Sequence, residues 1–208
     1  MKSSLLNPSY IQNIYQESYD VSKSRGKNKQ KKINDYCIEI FKTSEKFKGC
    51  VFEQEYKIPK CVYGTWGEHF KVDVAILQDG ILKAIILAKA PASNVRQNKV
   101  NSLNAKAGEL MRLNNLKDVE IFLIDILPKK TPFFKKNETI KNFEVNKVEH
   151  LLNHIPENLC KNIYESCIFF DIKNLESCTT KKDVENLLES ENIIENVEVS
   201  IFNERWIE

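Results

Sequence analysis

The chain has no apolar run approaching the length of a membrane span, and Met1-Lys2-Ser3-Ser4-Leu5-Leu6-Asn7-Pro8 lacks the long apolar region of a secretory leader. Both absences predict a cytoplasmic address with no membrane partner. No CxxC pair occurs either. Cys37, Cys50, Cys61, Cys160, Cys167 and Cys178 are widely scattered, a distribution that argues for reduced, mostly buried thiols over a zinc site or a disulfide framework. His150 and His154 share a helix face at i and i+4, but no acid or cysteine joins them locally, so they read as a helix-surface pair. No internal repeat is present. The chain also has little net charge, +2, and this small sum hides an asymmetry. Lys23 to Lys32 carries Lys23, Arg25, Lys27, Lys29, Lys31 and Lys32 without an acid, whereas Glu185 to Glu208 is acid-rich. The basic end is the side expected to meet nucleic acid.

A chain of 208 residues and 24.2 kDa can bury one substantial core, so residues 1–208 are expected to form a single domain. Its parts read as a basic N-terminal arm over 1–30, holding a short helix around Tyr10 to Tyr19, then a core over 31–127 and a C-terminal region over 128–208. In the core, Lys31 to Phe47 has Ile33, Tyr36, Cys37, Ile40, Phe41 and Phe47 at helical spacing. Gly49 to Ile58 reads as a strand. Residues 70–78 and 81–90 read as two more, joined by a hairpin turn at Gln78-Asp79-Gly80. Asn98 to Leu113 fits a helix through Val100, Leu103, Ala107, Leu110 and Met111, and Lys117 to Leu127 a buried strand. Pro128 to Lys136, with its alternating bases and aromatics, reads as a connector pinned by Phe133 and Phe134. Beyond it come helices over 147–155 and 156–165, a strand over Cys167 to Ile172, a helix over Lys181 to Ser190 capped near Thr180, and a strand over 197–207. The fold class is therefore α/β, a central mixed sheet flanked by helices.

The chemistry concentrates between Phe70 and Lys99. Asp73 lies in one apolar strand and Lys89 ends the next, so two adjacent strands bring an acid and a lysine side by side. Phosphodiester hydrolysis needs such a pair, a carboxylate to hold Mg²⁺ and a cation to steady the attacking water and the crowded phosphorus. After Lys89 and Pro91, the segment Ser93, Asn94, Arg96, Gln97, Asn98 and Lys99 supplies side chains of the kind that read bases and hold phosphates. Arg96, Gln97 and Lys99 also fall at the start of a helix, where free amides favour a phosphate.

Val72-Asp73 on a strand, a short turn and a strand ending in Lys89 resembles the PD-(D/E)XK nucleases, particularly the restriction endonucleases, over roughly residues 31 to 127. The β-β-α-β run is what a core of that family has. The family motif is an acid on one strand, then Asp or Glu, any residue and Lys on the next. Here Leu87 stands where the second acid belongs, and Val72 stands where proline precedes the first. The resemblance implies Asp73 as a metal ligand, Lys89 as the water-orienting cation and the carbonyl of Ala88 as a further ligand.

The second carboxylate is open among several acids. Glu39 ranks first, because the helix over 31–47 resembles the first core helix, which in some family members turns an acid to the site; Glu53, Glu55, Glu68 and Glu109 follow. The function so implied is a Mg²⁺-dependent, sequence-specific endonuclease of type II restriction kind, acting on double-stranded DNA as a homodimer. Two alternatives stand beside it: a non-catalytic DNA-binding protein on the same scaffold, which would account for Leu87, and a repair or junction-resolving nuclease.

Overall fold

The computed structural model describes residues 7–19, 27–59, 69–113, 116, 118–147 and 162–201. Glu68, Trp66, Trp206, Cys61, Cys160, the His150–His154 pair and most of the helices expected over 147–165 lie outside them. The elements are α1 (Pro8–Tyr19), α2 (Lys27–Lys42), a 3-10 turn at Glu45–Phe47, β1 (Val51–Pro59), β2 (His69–Gln78), β3 (Ile81–Lys89), α3 (Val95–Leu113), β4 (Glu120–Pro128), β5 (Lys130–Phe134), β6 (Ile140–Val145), β7 (Ile163–Ile172), α4 (Lys181–Glu189) and β8 (Ile194–Ile201).

The sheet has six strands in the order β1-β2-β3-β4-β7-β8, so the α/β class with a mixed central sheet flanked by helices is the observed one. β1, β2 and β3 form an antiparallel meander, β3, β4 and β7 run parallel, and β8 closes the far edge antiparallel to β7. Asp79 and Gly80, at φ 51° and 75°, make the β2–β3 turn, the paired positive values that a two-residue hairpin of matching twist requires. Crossover from β3 to the parallel β4 takes the length of α3.

One face of the sheet is covered by α1, α2 and α4, whose Ile11, Ile14, Tyr15, Ile33, Tyr36, Val184 and Leu188 join Val74, Ile76, Ile86, Ile124 and Phe170 in the main core. The other face carries α3, where Leu110 and Leu113 meet Ile85, Leu87, Ile121 and Leu123. Residues 128–208 add β7 and β8 to this same sheet. Thr180 caps α4 in a reciprocal box with Asp183, whose carboxyl is held down at about 2 by the amide and hydroxyl of Thr179 and those of Thr180. No helix among the described residues is long and apolar enough to cross a membrane.

Four expectations are corrected here. Residues 8–19 do not belong to a basic arm: the short helix expected around Tyr10 to Tyr19 forms as α1, and it is a core helix with Ile11, Ile14, Tyr15 and Tyr19 buried. The basic run does not link two helices, because Lys27 already begins α2. Residues 130–145 form a two-stranded hairpin instead of an irregular connector, with Thr131 opposite Glu144. The helix expected up to Glu165 fails at its C-terminal end, which is strand from Ile163.

α1 is held by polar contacts as much as by burial. The Tyr15 hydroxyl lies 2.7 Å from the carbonyl oxygen of Ile126 and 3.0 Å from that of Pro91, sharing its proton between them in a dry setting. Removing only the hydroxyl leaves those acceptors without their donor. Tyr15→Phe is expected to cost about 1–3 kcal/mol with no change of fold, checked by urea denaturation alongside far-ultraviolet circular dichroism.

Candidate functional site

The β2–β3 ladder runs from Gln78↔Ile81 to Val74↔Ile86 and stops there. Beyond it the Ala88 amide donates to Oδ2 of Asp73 at 2.9 Å, so a side-chain carboxylate takes the place of a strand carbonyl and the two strands part as a fork. The same point is irregular on the other side. Phe52, Val74 and Ile76 pack with the α1–α2 core, whereas Tyr56, Ile58, Phe70 and Val72 pack under α3. Even-numbered residues thus change face between 54 and 56 on β1 and between 72 and 74 on β2. Glu55, at φ 53°, stands at the change on β1, beside Asp73 on β2. The acid therefore sits where the sheet inverts.

Side chains from the N-terminal helices occupy the opened edge. Asn34 of α2, buried in the apolar stripe, donates to the backbone carbonyl of Asp73 at 3.0 Å. Gln30 reaches the carbonyl of Ala88 at 3.4 Å, and the Lys29 ammonium the carbonyl of Ala90 at 2.7 Å. Tyr15 and Tyr19 of α1 serve the carbonyls of Pro91 and Ala92. The backbone acceptors that follow Lys89 are thus met by helix side chains where a neighbouring strand would otherwise meet them.

Across the fork, Lys89 lies 3.2 Å from Glu109 of α3. Burial pushes the Asp73 carboxyl up to about 6; the Ala88 amide and Lys89 oppose this, while the charges of Glu109 and Glu55 add to it. Asp73, Lys89, Glu109 and Glu55 therefore share one electrostatic neighbourhood. Glu55 is also paired with Lys71 at 2.8 Å. Among the described residues no group of three or more His, Cys, Asp or Glu converges on a point that could hold a metal. Asp73, Glu109 and the carbonyl of Ala88 are the groups available to one.

The charged row continues along the α3 side. Lys89 is in register with Asp125 of β4, and Asp125 and Glu165 of β7 both bind the Lys106 ammonium, at 2.5 and 2.9 Å. Burial alone would lower the Lys106 pKa; the two carboxylates outweigh it and hold it above the ordinary lysine value. Lys106 and Glu109 stand on the same helix three residues apart, so the triad fixes the helix that presents Glu109 to Lys89.

Glu39 does not join this group. It is exposed on the outer side of α2 and accepts from the Tyr10 hydroxyl at 3.0 Å. The polar segment after Pro91 divides. Asn94, at φ 51°, is structural: its amide donates to Pro132, its Oδ1 accepts from the Phe134 amide at 2.9 Å, and its carbonyl accepts from Asn98. Arg96, Gln97 and Asn98 have exposed side chains, and Ser93 and Lys99 are half-buried. The phosphate place expected at the start of α3 holds the protein's own anion, since the Arg96 amide donates to Glu144 at 3.0 Å. Cys37 and Cys167 are free thiols whose pKa burial raises, as inert core cysteines should be.

No family model, curated protein or solved structure matches the chain. Gln30 and Asn34 are the residues that sequence reasoning missed, and Lys29 was seen only as one member of the basic run. Their one legible signal is Asn34 lying inside the apolar stripe of Ile33, Tyr36 and Cys37, where a polar side chain needs a partner.

Two outcomes follow for stability. With Asp73 titrating near 6 in the fold against an ordinary 3.8, the folded state binds the proton more tightly, so stability falls as pH rises from 3.8 to 6 and stays reduced above that. Asp73→Asn is therefore expected to be more stable than the parent at pH 8, by at most roughly 3 kcal/mol, and to lose that advantage below pH 4, as read by denaturation at both pH values. Lys106→Ala strands a buried carboxylate, Asp125, and a half-buried one, Glu165, and should cost about 3–5 kcal/mol at pH 7 in the same measurement.

Proposed function

We propose that this chain is a Mg²⁺-dependent, sequence-specific endonuclease of restriction type that hydrolyses phosphodiester bonds in double-stranded DNA of the cytoplasm. The observation that carries the reading is the fork itself. Asp73 stands in an opened ladder beside Lys89, and Glu109 stands 3.2 Å from that lysine, so two carboxylates and one cation gather where β2 and β3 part. The order α2, three-stranded meander, α3 and parallel β4 supports it too, being the β-β-α-β run of the nuclease core that the motif resembles.

Asp73, Glu109 and the Ala88 carbonyl would hold Mg²⁺, with water and phosphate oxygens completing its shell, as this ion favours around phosphates. The Glu109 charge raises the proton affinity of Asp73, an arrangement that fits a cation, and Glu109 would supply the carboxylate that Leu87, buried under α3, does not. When bound, the metal would neutralise charge on the phosphate and make water a better nucleophile. Lys89 orients that water opposite the leaving 3′-oxygen and offsets the charge gathering at phosphorus. Glu109 keeps the Lys89 ammonium aimed at the fork. Arg96, Gln97 and Asn98, exposed at the start of α3, would meet DNA, and a homodimer would match a two-fold site.

A second reading has an observation of its own. Leu87 packs in the core where the family has an acid, as it would in a DNA-binding protein that has given up catalysis. Incubation with mixed plasmid and phage DNA in Mg²⁺ separates these cases. Discrete fragments are expected, with Asp73→Asn and Glu109→Gln each slower by at least about 100-fold while still binding DNA. Salt-sensitive binding without any cut favours the non-catalytic protein, and cleavage confined to branched substrates a junction enzyme. No binding at low salt rejects a nucleic-acid function altogether.

A further inference from the structure

The basic run at the start of α2 is not a uniform phosphate-binding stripe. Lys31 is spent on Asp35 at 2.7 Å, and Lys32 on Glu17 at 3.0 Å. Lys29 differs from both. Its ammonium turns inward to the fork and donates to the Ala90 carbonyl at 2.7 Å, and among the described residues no carboxylate pairs with it. Burial is what acts on this group, lowering it to about 8 with no acid opposing. An ammonium half out of water and balanced by one neutral carbonyl costs free energy that a strand-end acceptor does not require, because a neutral donor would serve Ala90 equally well.

Position supports a use for the charge. Lys29 meets the backbone one residue beyond Lys89, and Gln30 beside it meets Ala88, whose amide binds Asp73. Lys89 is on the side of the sheet under α3, where it meets Glu109, whereas Lys29 enters from α2 on the opposite side. The two ammoniums thus approach the same strand end from opposite faces, one balanced by an acid and one not.

We infer that Lys29 is a second cation of the site, holding a phosphate of the DNA backbone in the fork opposite Lys89. The inference rests on the nuclease reading and adds a residue to it from outside the resembled motif. A phosphate oxygen would take the ammonium in exchange for, or together with, the Ala90 carbonyl, a charge-assisted bond replacing a neutral one.

The test uses the full-length protein and Lys29→Gln, which keeps a donor for Ala90 while removing the charge, with Lys29→Arg as the charge-restoring variant and Asp73→Asn as the inactive reference. Cleavage of the mixed plasmid and phage DNA is followed in Mg²⁺, and binding of a duplex carrying the recovered cut site in Ca²⁺ over a series of salt concentrations. Lys29→Gln is expected to bind with a salt slope smaller by about one and to cleave at least about tenfold more slowly, with Lys29→Arg recovering the slope and part of the rate. Parental rate and slope in Lys29→Gln, with Asp73→Asn inactive, would overturn the Lys29 assignment and leave the nuclease standing. A parent protein that neither cuts nor binds DNA overturns both. Loss of rate in Lys29→Gln with an unchanged salt slope and no recovery by Lys29→Arg also rejects it, since the lysine then serves the fold alone.

Discussion

The hydrogen bond from the Ala88 amide to the Asp73 carboxylate governs the rest of this structure. Neighbouring strands normally satisfy their amides with each other's carbonyls, and where a carboxylate takes that place the two strands part. Parting them frees acceptors on β3 that must find other donors, and the helices on that face supply Gln30, Lys29, Tyr15 and Tyr19. The acid in turn is kept out of water, where its ionised form is disfavoured. Carboxylate, splayed ladder and helix side chains are one arrangement.

A second constraint fixes α3 over the opened edge. Of its nineteen residues only Lys106, Leu110 and Leu113 are buried, a thin apolar contact for so long a helix. The ion triad with Asp125 and Glu165 compensates by direction more than by energy, since buried charges mainly penalise every alternative placement. It sets the helix rotation, and thereby which acid meets Lys89. At the N-terminal end, Glu144 and Asn94 tie the helix to the β5–β6 hairpin, so the helix is positioned at both ends by polar groups.

Much of this was legible in the chain, and the parts that were not share a cause. The Asp79-Gly80 turn and the apolar runs around it announce β2 and β3, because turn chemistry and strand burial are local. Thr180 and Asp183 announce α4 in the same way. The β5–β6 hairpin is hidden by Pro132 and the surrounding lysines, which make an edge hairpin look like a loop. α2 is hidden at its start by four lysines, Lys27, Lys29, Lys31 and Lys32, that carry no apolar period. Glu109 could be ranked only among equals, since its meeting with Lys89 depends on how a crossover helix is rotated, and Glu39 looked better because its helix is more strongly patterned. The fork could not be read at all. It exists only as an exchange between a side chain and a backbone amide on different strands.

The docking of α1 carries a consequence for how the molecule is made. Its tyrosines and glutamines bind carbonyls of Pro91, Ile126, Leu188 and Ser190, some of them more than 170 positions away along the chain. Its docking surface is therefore assembled from the ends of β3 and α4 and from β4 together, segments far apart in sequence. Contacts of such long sequence separation cost loop-closure entropy before they repay it, which makes this face slow to close.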